Sequence, residues 1–461
     1  MRVSAARHIV RPSFVLALLA ASACGKSDNT PVPGAADTNR AAASASACPG
    51  GNAELTTLPS GFCATVFADS VSHGRHVIVA SNGDVYVTEE GTAPSPEKQI
   101  SGADKPAKTS SFVALRDTNH DGRADIVKRV GSLGNTGIGI LGGYLYVDEG
   151  TRVVRYARAD TALVPAGKAE VVVQGIPLSP GHRARNFTFG ADSSLYLNIG
   201  SATNSCQQKD RANESPGIDP CTELNTRAGI WRFRADKLGQ RPTTANRFAT
   251  GIRNAMGLTV GPDGKLYATQ HGRDQLHDNW PKVFPTTKYQ ADNPAEEFVQ
   301  VDSSDDFGWP YCYYAVDQKK LVDAPEYGGD GTKQSTRCAE KKAPVAVYPG
   351  HWAPMSVVFY NGNRFPAKYN GGAFISFHGS WNRAPEPQDG YRVVFQPMSG
   401  GAASSAYETF ADGFAGLPPA QLQPGTAKHR PTGLAIGPDG ALYVTDDMGG
   451  RVYRITYNGG Q

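Results

Sequence analysis

The sequence predicts an all-β fold, a six-bladed β-propeller with loop insertions. Three observations carry that expectation. Glycine and proline number 52 and 32 among 461 residues, which disfavours long helices. Few stretches keep apolar residues at helical spacing beyond two turns. One phrase, a turn followed by alternating aromatic and aliphatic residues, recurs along the chain.

The phrase first reads Asn82-Gly83-Asp84-Val85-Tyr86-Val87 and returns at Gly143-Tyr144-Leu145-Tyr146-Val147 and Asp192-Ser193-Ser194-Leu195-Tyr196-Leu197. It recurs as Pro262-Asp263-Gly264-Lys265-Leu266-Tyr267 and Pro438-Asp439-Gly440-Ala441-Leu442-Tyr443, with a degenerate copy over 371–377. Asp-Gly supplies a tight turn, and alternation buries one face of the strand against a neighbouring sheet. Second strands follow about ten residues on, at 153–156, 230–233 and 452–455, which is the rhythm of a propeller blade. The long stretch 275–349 is either an insertion or a hidden seventh blade.

Upstream of the propeller, Arg2, Arg7 and Arg11 precede an apolar run over 14–23 that ends in small residues before Cys24. That is the pattern of a signal peptide over 1–23, and the run is too short for a spanning helix, which needs roughly twenty apolar residues. Ala21-Ser22-Ala23-Cys24 resembles a bacterial lipobox, with Ala21 in place of the usual leucine, which implies a lipid on Cys24. A free or disulfide-bonded Cys24 behind an ordinary signal is the other reading. The segment 24–47, rich in Ala, Ser, Asn, Asp and Pro, reads as a flexible tether to a propeller over 48–461. Gly25 gives no retention signal, so the expected place is the periplasmic side of the outer membrane, with membrane contact through the anchor only. Seven cysteines leave six once Cys24 is set aside, and sequence neighbours suggest Cys48 with Cys63, Cys206 with Cys221 and Cys312 with Cys338, among about fifteen possible connectivities. No CxxC occurs. Basic residues are scattered and the formal charge is only +3, which gives no footprint for nucleic acid.

Gly251-Ile252-Arg253-Asn254-Ala255-Met256-Gly257-Leu258, Phe307-Gly308-Trp309-Pro310, His378-Gly379-Ser380-Trp381-Asn382-Arg383 and Arg430-Pro431-Thr432-Gly433-Leu434 resemble the glucose/sorbosone dehydrogenase family, over roughly 58–457. Those proteins are six-bladed propellers, and many use pyrroloquinoline quinone (PQQ) with calcium to oxidise sugars. The resemblance implies that His182, eight residues before Gly190, is a general base, because hydride removal from a sugar leaves a proton to be taken up. It implies that Arg253 faces the quinone carbonyl and stabilises developing charge there, with Asn254 bonding the ring. Arg430, and Arg383 in place of a family lysine that falls opposite Ser380, would meet the cofactor's carboxylates. Asn135 and His351 fall where a hydrogen-bonding amide and a stacking residue occur.

Calcium prefers oxygen ligands. The main-chain oxygens of Gly272 and Arg273 match the pair that holds the quinone-bound ion. Glu297, twelve residues before Trp309, and Asp317, eight after it, match a second, structural site. The loop Asp117-Thr118-Asn119-His120-Asp121-Gly122-Arg123-Ala124-Asp125 reads either as a third calcium loop or as a hairpin turn closed by Asx bonds, since Lys128 stands where an EF-hand needs glutamate. Ser201, nineteen residues after His182, replaces the aspartate that orients the base in glucose enzymes. Sorbosone-type members share this Gly-Ser form, so the implied substrate is an aldose or a sorbosone-like sugar aldehyde, with electrons passed to a respiratory cytochrome or quinone. A membrane-tethered propeller that binds carbohydrate or protein without catalysis is the competing reading.

Overall fold

Each recurring phrase forms the second strand of a four-stranded antiparallel sheet: Val85–Glu89, Tyr144–Asp148, Ser194–Ile199, Leu266–Gln270, Ala373–Phe377 and Leu442–Asp446. The computed structural model describes residues 48, 51–90 and 110–459. The expected signal segment, Cys24 and the tether lie outside the described residues. Within them, six such sheets make a six-bladed β-propeller. The first strands are Gly74–Val79, Ile138–Leu141, Phe187–Phe189, Leu258–Val260, Pro354–Phe359 and Pro431–Ile436, for blades one to six in that order. Blade six takes its outermost strand, Phe62–Ala68, from the other end of the chain, pairing Phe62 with Tyr457 and Cys63 with Thr456. That strand closes the ring.

The phrase works because its residues alternate between two interfaces. Val85 and Val87 pack on blade six with Tyr443 and Val452, whereas Tyr86 packs on blade two with Leu145 and Val147. The hydroxyl of Tyr86 donates to the Leu163 carbonyl at 3.0 Å and that of Tyr146 to the Ala235 carbonyl at 3.1 Å, so each buried tyrosine is satisfied on the next blade. Every neighbouring pair of blades shares one such apolar cluster. Gly83, Gly264 and Gly440 take the left-handed conformation that the preceding turns need, and Ser193 takes it in the third copy.

The stretch 275–349 is not a seventh blade. It contains the third and fourth strands of blade four, Glu296–Val301 and Ala346–Tyr348, with a hairpin of Cys312–Ala315 and Lys320–Asp323 between them, and three short helices, Leu276–Asn279, Thr287–Asp292 and Thr336–Ala339. Disulfides join Cys48 to Cys63, Cys206 to Cys221 and Cys312 to Cys338, the pairs that sequence neighbours suggest. The Asp117–Asp125 loop is a hairpin turn closed by Asx bonds: Asn119 Oδ1 accepts from the Asp121 amide and Asp121 Oδ1 from the Arg123 amide, both at 2.9 Å.

Ring closure rests on Phe62, whose ring meets those of Phe365, Phe410, Tyr369 and Tyr457 at centroid distances of 4.7 to 5.5 Å. Phe62→Ala is expected to cost about 3–5 kcal/mol in urea unfolding. A loss below about 1 kcal/mol would show that the closing strand contributes little.

Candidate active site

In a meander of four antiparallel strands, the start of the first strand and the end of the second lie at the same edge. Links entering each blade therefore share one face of the propeller with the loops that leave each second strand. The predicted residues sit on these two sets of segments: Asn135, His182, Arg253, Asn254, His351 and Arg430 on entering links, and Gly272 and Arg273 just after the second strand of blade four. Together these segments surround a cavity of about 390 Å³. His182, Arg253, Asn254, Gly272, His351 and Arg430 line it.

The cavity wall is organised by a residue that the sequence reading passed over, Asp274. One of its carboxylate oxygens, Oδ2, accepts from Arg253 at 2.9 Å and from Arg211 at 2.8 Å, and the other, Oδ1, accepts from Asn382 at 2.7 Å. Burial alone would raise its pKa, but the Arg253 and Arg211 guanidiniums outweigh that and hold the carboxyl well below the usual range. It is an ionised group. Asn204 completes the clamp: its Oδ1 accepts from Arg253 Nη2 and from the Asp274 amide, both at 2.9 Å, and its carbonyl accepts from Arg253 Nε at 3.1 Å. Trp309 Nε1 donates to the same carbonyl at 3.0 Å, which ties the clamp to the core around the Cys206–Cys221 disulfide. Arg253 Nη1 donates to the Gly272 carbonyl at 2.8 Å, so that oxygen already has a donor.

His182 is held on its Nδ1 side, 2.9 Å from the Ser201 carbonyl and 3.0 Å from Ser201 Oγ. Ser201 Oγ gives its own proton to the Thr203 carbonyl at 2.7 Å, so both partners of Nδ1 can only accept. Nδ1 must carry the hydrogen, which leaves the lone pair on Nε2. Burial, reinforced by the nearby Arg253 charge, pushes the imidazole well below its usual pKa and keeps it neutral. Gly200 is required here, since a Cβ at that position would lie 2.7 Å from His182 Cβ and 2.8 Å from Asn254 Oδ1.

Other predicted residues fall elsewhere. Arg383 is a correction, because its guanidinium turns away to the carbonyls of Ala291, Gly350 and Pro387 and does not line the cavity. From that segment His378, Trp381 and Asn382 line it. Asn135 lies behind the wall and donates to the Arg183 carbonyl at 2.9 Å. The Arg273 side chain forms a buried ion pair with Glu326 in the insertion. Glu297 is buried and its Oε2 has no hydrogen-bond partner among the described residues, whereas Asp317 is exposed on the turn of the hairpin. Among the described residues, no three His, Cys, Asp or Glu side chains gather to hold a metal ion. Glu296, also unforeseen, lines the cavity and accepts from the amides of Gly272 at 2.9 Å and Ala353 at 3.2 Å. Across the cavity Arg75 donates to Asp447 at 2.8 Å, and Asp447 also contacts His378 at 2.9 Å.

A family model described as TrAA12-like matches residues 56–458. A pyrroloquinoline quinone-dependent pyranose dehydrogenase of Coprinopsis cinerea is 27% identical over 232 residues, 44% of this chain and 30% of the relative. The chain spans less than half the length of the curated relatives it matches. Two solved structures share the fold: the PQQ domain of a Coprinopsis cinerea pyranose dehydrogenase in its holo form, at 19% identity and a TM-score of 0.67 over 89% of this chain and 99% of that one, and a Trichoderma reesei Family AA12 enzyme, at 17% and 0.68 over 88% and 98%.

Two measurements examine this electrostatic arrangement. Asp274→Ala leaves Arg253 and Arg211 without their shared carboxylate and is expected to cost about 3–5 kcal/mol in denaturant unfolding; a loss under about 1 kcal/mol would mean the guanidiniums find other partners. Burial raises Glu296 to about 7 and Glu297 to about 8 from a usual 4.5. Above pH 4.5 the folded chain therefore keeps protons that the unfolded chain has released, and stability falls as pH rises towards 8. In calcium-free buffer the melting temperature should drop across that window. Glu297→Gln should flatten the drop, and an unchanged slope would remove burial of this carboxyl as its cause.

Proposed function

Since the chain belongs to the TrAA12-like family, we propose that it is an oxidoreductase that oxidises an aldose or a sorbosone-like sugar aldehyde with PQQ bound in the propeller mouth. One observation carries the reading: a buried neutral histidine with its Nε2 lone pair uncommitted shares an arginine-lined cavity with a rigidly clamped Arg253. The quinone, when bound, would supply a two-electron acceptor for hydride. Its three carboxylates need cations and its flat ring needs apolar walls. Arg75, Arg183, Arg211, Arg253 and Arg430 line the cavity alongside Met256, Met355, Trp381 and Met448, a lining that offers donors for carboxylates and apolar surface for a ring.

The chain's own residues then divide the work. His182 takes the proton from the hydroxyl on the carbon that gives up its hydride, the anomeric hydroxyl of an aldose or a hydroxyl of the hydrated aldehyde, and the Ser201 carbonyl holds the ring in the tautomer that makes this possible. Replacement of aspartate by Ser201 thus preserves orientation, while the imidazolium formed would draw on the more distant Asp274 for charge support. Arg253 is fixed by Asn204 and Asp274 before any ligand arrives, so its positive charge needs no reorganisation. Calcium would join through the carbonyls of Gly272 and Arg273. A second ion would satisfy the unpartnered Glu297 Oε2 without the exposed Asp317. Lipidation of Cys24, a periplasmic site on the outer membrane and a respiratory electron acceptor complete the proposal.

The test is reconstitution with PQQ and calcium, followed by rapid mixing with sugars. His182→Ala should retain quinone uptake, seen by absorbance, yet slow its reduction by about 10² to 10⁴. Wild-type protein that takes up no quinone in calcium-replete buffer would leave the propeller as a binding scaffold.

A further inference from the structure

His351 enters the cavity wall in the left-handed conformation, at φ 66°, with Ala353 close behind at φ 57°. A residue with a side chain holds that geometry only where its surroundings impose it. What they impose is the direction of the ring. Nε2 lies 2.6 Å from the Gln290 carbonyl and 3.1 Å from the Asn293 carbonyl. Both oxygens can only accept, so Nε2 carries the hydrogen and Nδ1 of the neutral ring carries a lone pair. Nδ1 lies 3.9 Å from Asp274 Oδ1. That is too long for a hydrogen bond, and both atoms are acceptors. Burial lowers the pKa of His351 against the pull of Asp274, which keeps the ring neutral and the two acceptors unreconciled.

Two acceptors held side by side on a cavity wall call for two donors on one ligand. A single hydroxyl has one hydrogen and satisfies one of them. Hydroxyls on neighbouring ring carbons supply two donors with matching spacing. We infer that His351 Nδ1 and Asp274 Oδ1 form a subsite for a vicinal diol of the sugar, one hydroxyl donating to each. The inference rests on the cavity being a sugar site, and it gives His351 a substrate contact in place of a stacking role beside the cofactor. Asp274 then has two duties: Oδ2 fixes Arg253 and Arg211, and Oδ1, steadied by Asn382, faces the sugar.

The experiment is equilibrium binding by titration calorimetry, with and without PQQ, using common aldohexoses and aldopentoses and their monodeoxy analogues. Wild type should bind a parent sugar about tenfold or more tighter than analogues lacking either hydroxyl of one adjacent pair. His351→Phe removes the lone pair, and His351→Leu is a second variant that removes it with an aliphatic side chain. Both should bring that ratio within about twofold of unity in protein that still unfolds cooperatively. The inference is overturned if the ratio survives in both variants, if wild type binds parent and deoxy sugars alike, or if it binds none. Failed quinone uptake with the ratio intact would sink the proposed reaction and leave the diol subsite standing.

Discussion

The site depends on one buried carboxylate. Asp274 joins four segments that are far apart in sequence: the disulfide-stapled loop of Arg211, the link of Arg253, the link of His351 and the loop of Asn382. Pairing inside a low-dielectric wall is favourable only when hydrogen bonds satisfy the ions, and here three of them reach its two oxygens. The same bonds that stabilise the charge therefore fix the directions of Arg253 and Asn382. A propeller supplies a rigid ring of loop ends, but convergence at the mouth comes from this ion cluster.

The fold was legible because a blade repeats its chemistry. Tyr86, Tyr146 and Tyr267 each occupy the same place in a second strand and reach into the following blade, so the phrase records a packing demand made anew at each blade. Residue parity then carries from fold to site, since anything just before a first strand or just after a second strand must stand at the mouth. His182, Arg253 and Arg430 were readable for that reason. Asp274, Asn204 and Glu296 were less so, because their importance lies in what converges on them from other blades, and the only local trace was an aspartate two residues past Gly272. Arg383 was misplaced for a related reason. Ser380 bonds Gln388 Oε1 at 2.8 Å and folds the segment back on itself, which sends the guanidinium to the carbonyls under the loop.

The replacement of aspartate by Ser201 illustrates how position and charge separate. A carboxylate behind a catalytic histidine both selects the tautomer and stabilises the imidazolium. A carbonyl and a committed hydroxyl achieve the first of these without the second. His182 is held with Nε2 as its lone-pair nitrogen and is strongly biased to neutrality, which in a base would favour readiness to accept a proton over retention of it. Such a base suits a reaction in which the proton is soon passed on to solvent.

Charge balance in the cavity sets a further condition on any anionic ligand. Five arginines line it against four carboxylates, Glu90, Asp274, Glu296 and Asp447, and burial keeps Glu296 partly protonated near neutrality. Four of the five arginines are already engaged: Arg253 and Arg211 on Asp274, Arg75 on Asp447, and Arg430 on the carbonyls of His378 and Gly379. Their positions are therefore set in advance, which lowers the ordering cost of binding, but their charge is largely spent. A ligand with three carboxylates would bring more negative charge than the residual positive charge of the wall can offset. A divalent cation entering with it would restore the balance, and at the Gly272 carbonyl it would have to displace or share the Arg253 Nη1 donor that the oxygen already has. The physical case for calcium thus comes from the deficit that an anionic cofactor would create in this cavity, more than from any ligand cage in the chain itself.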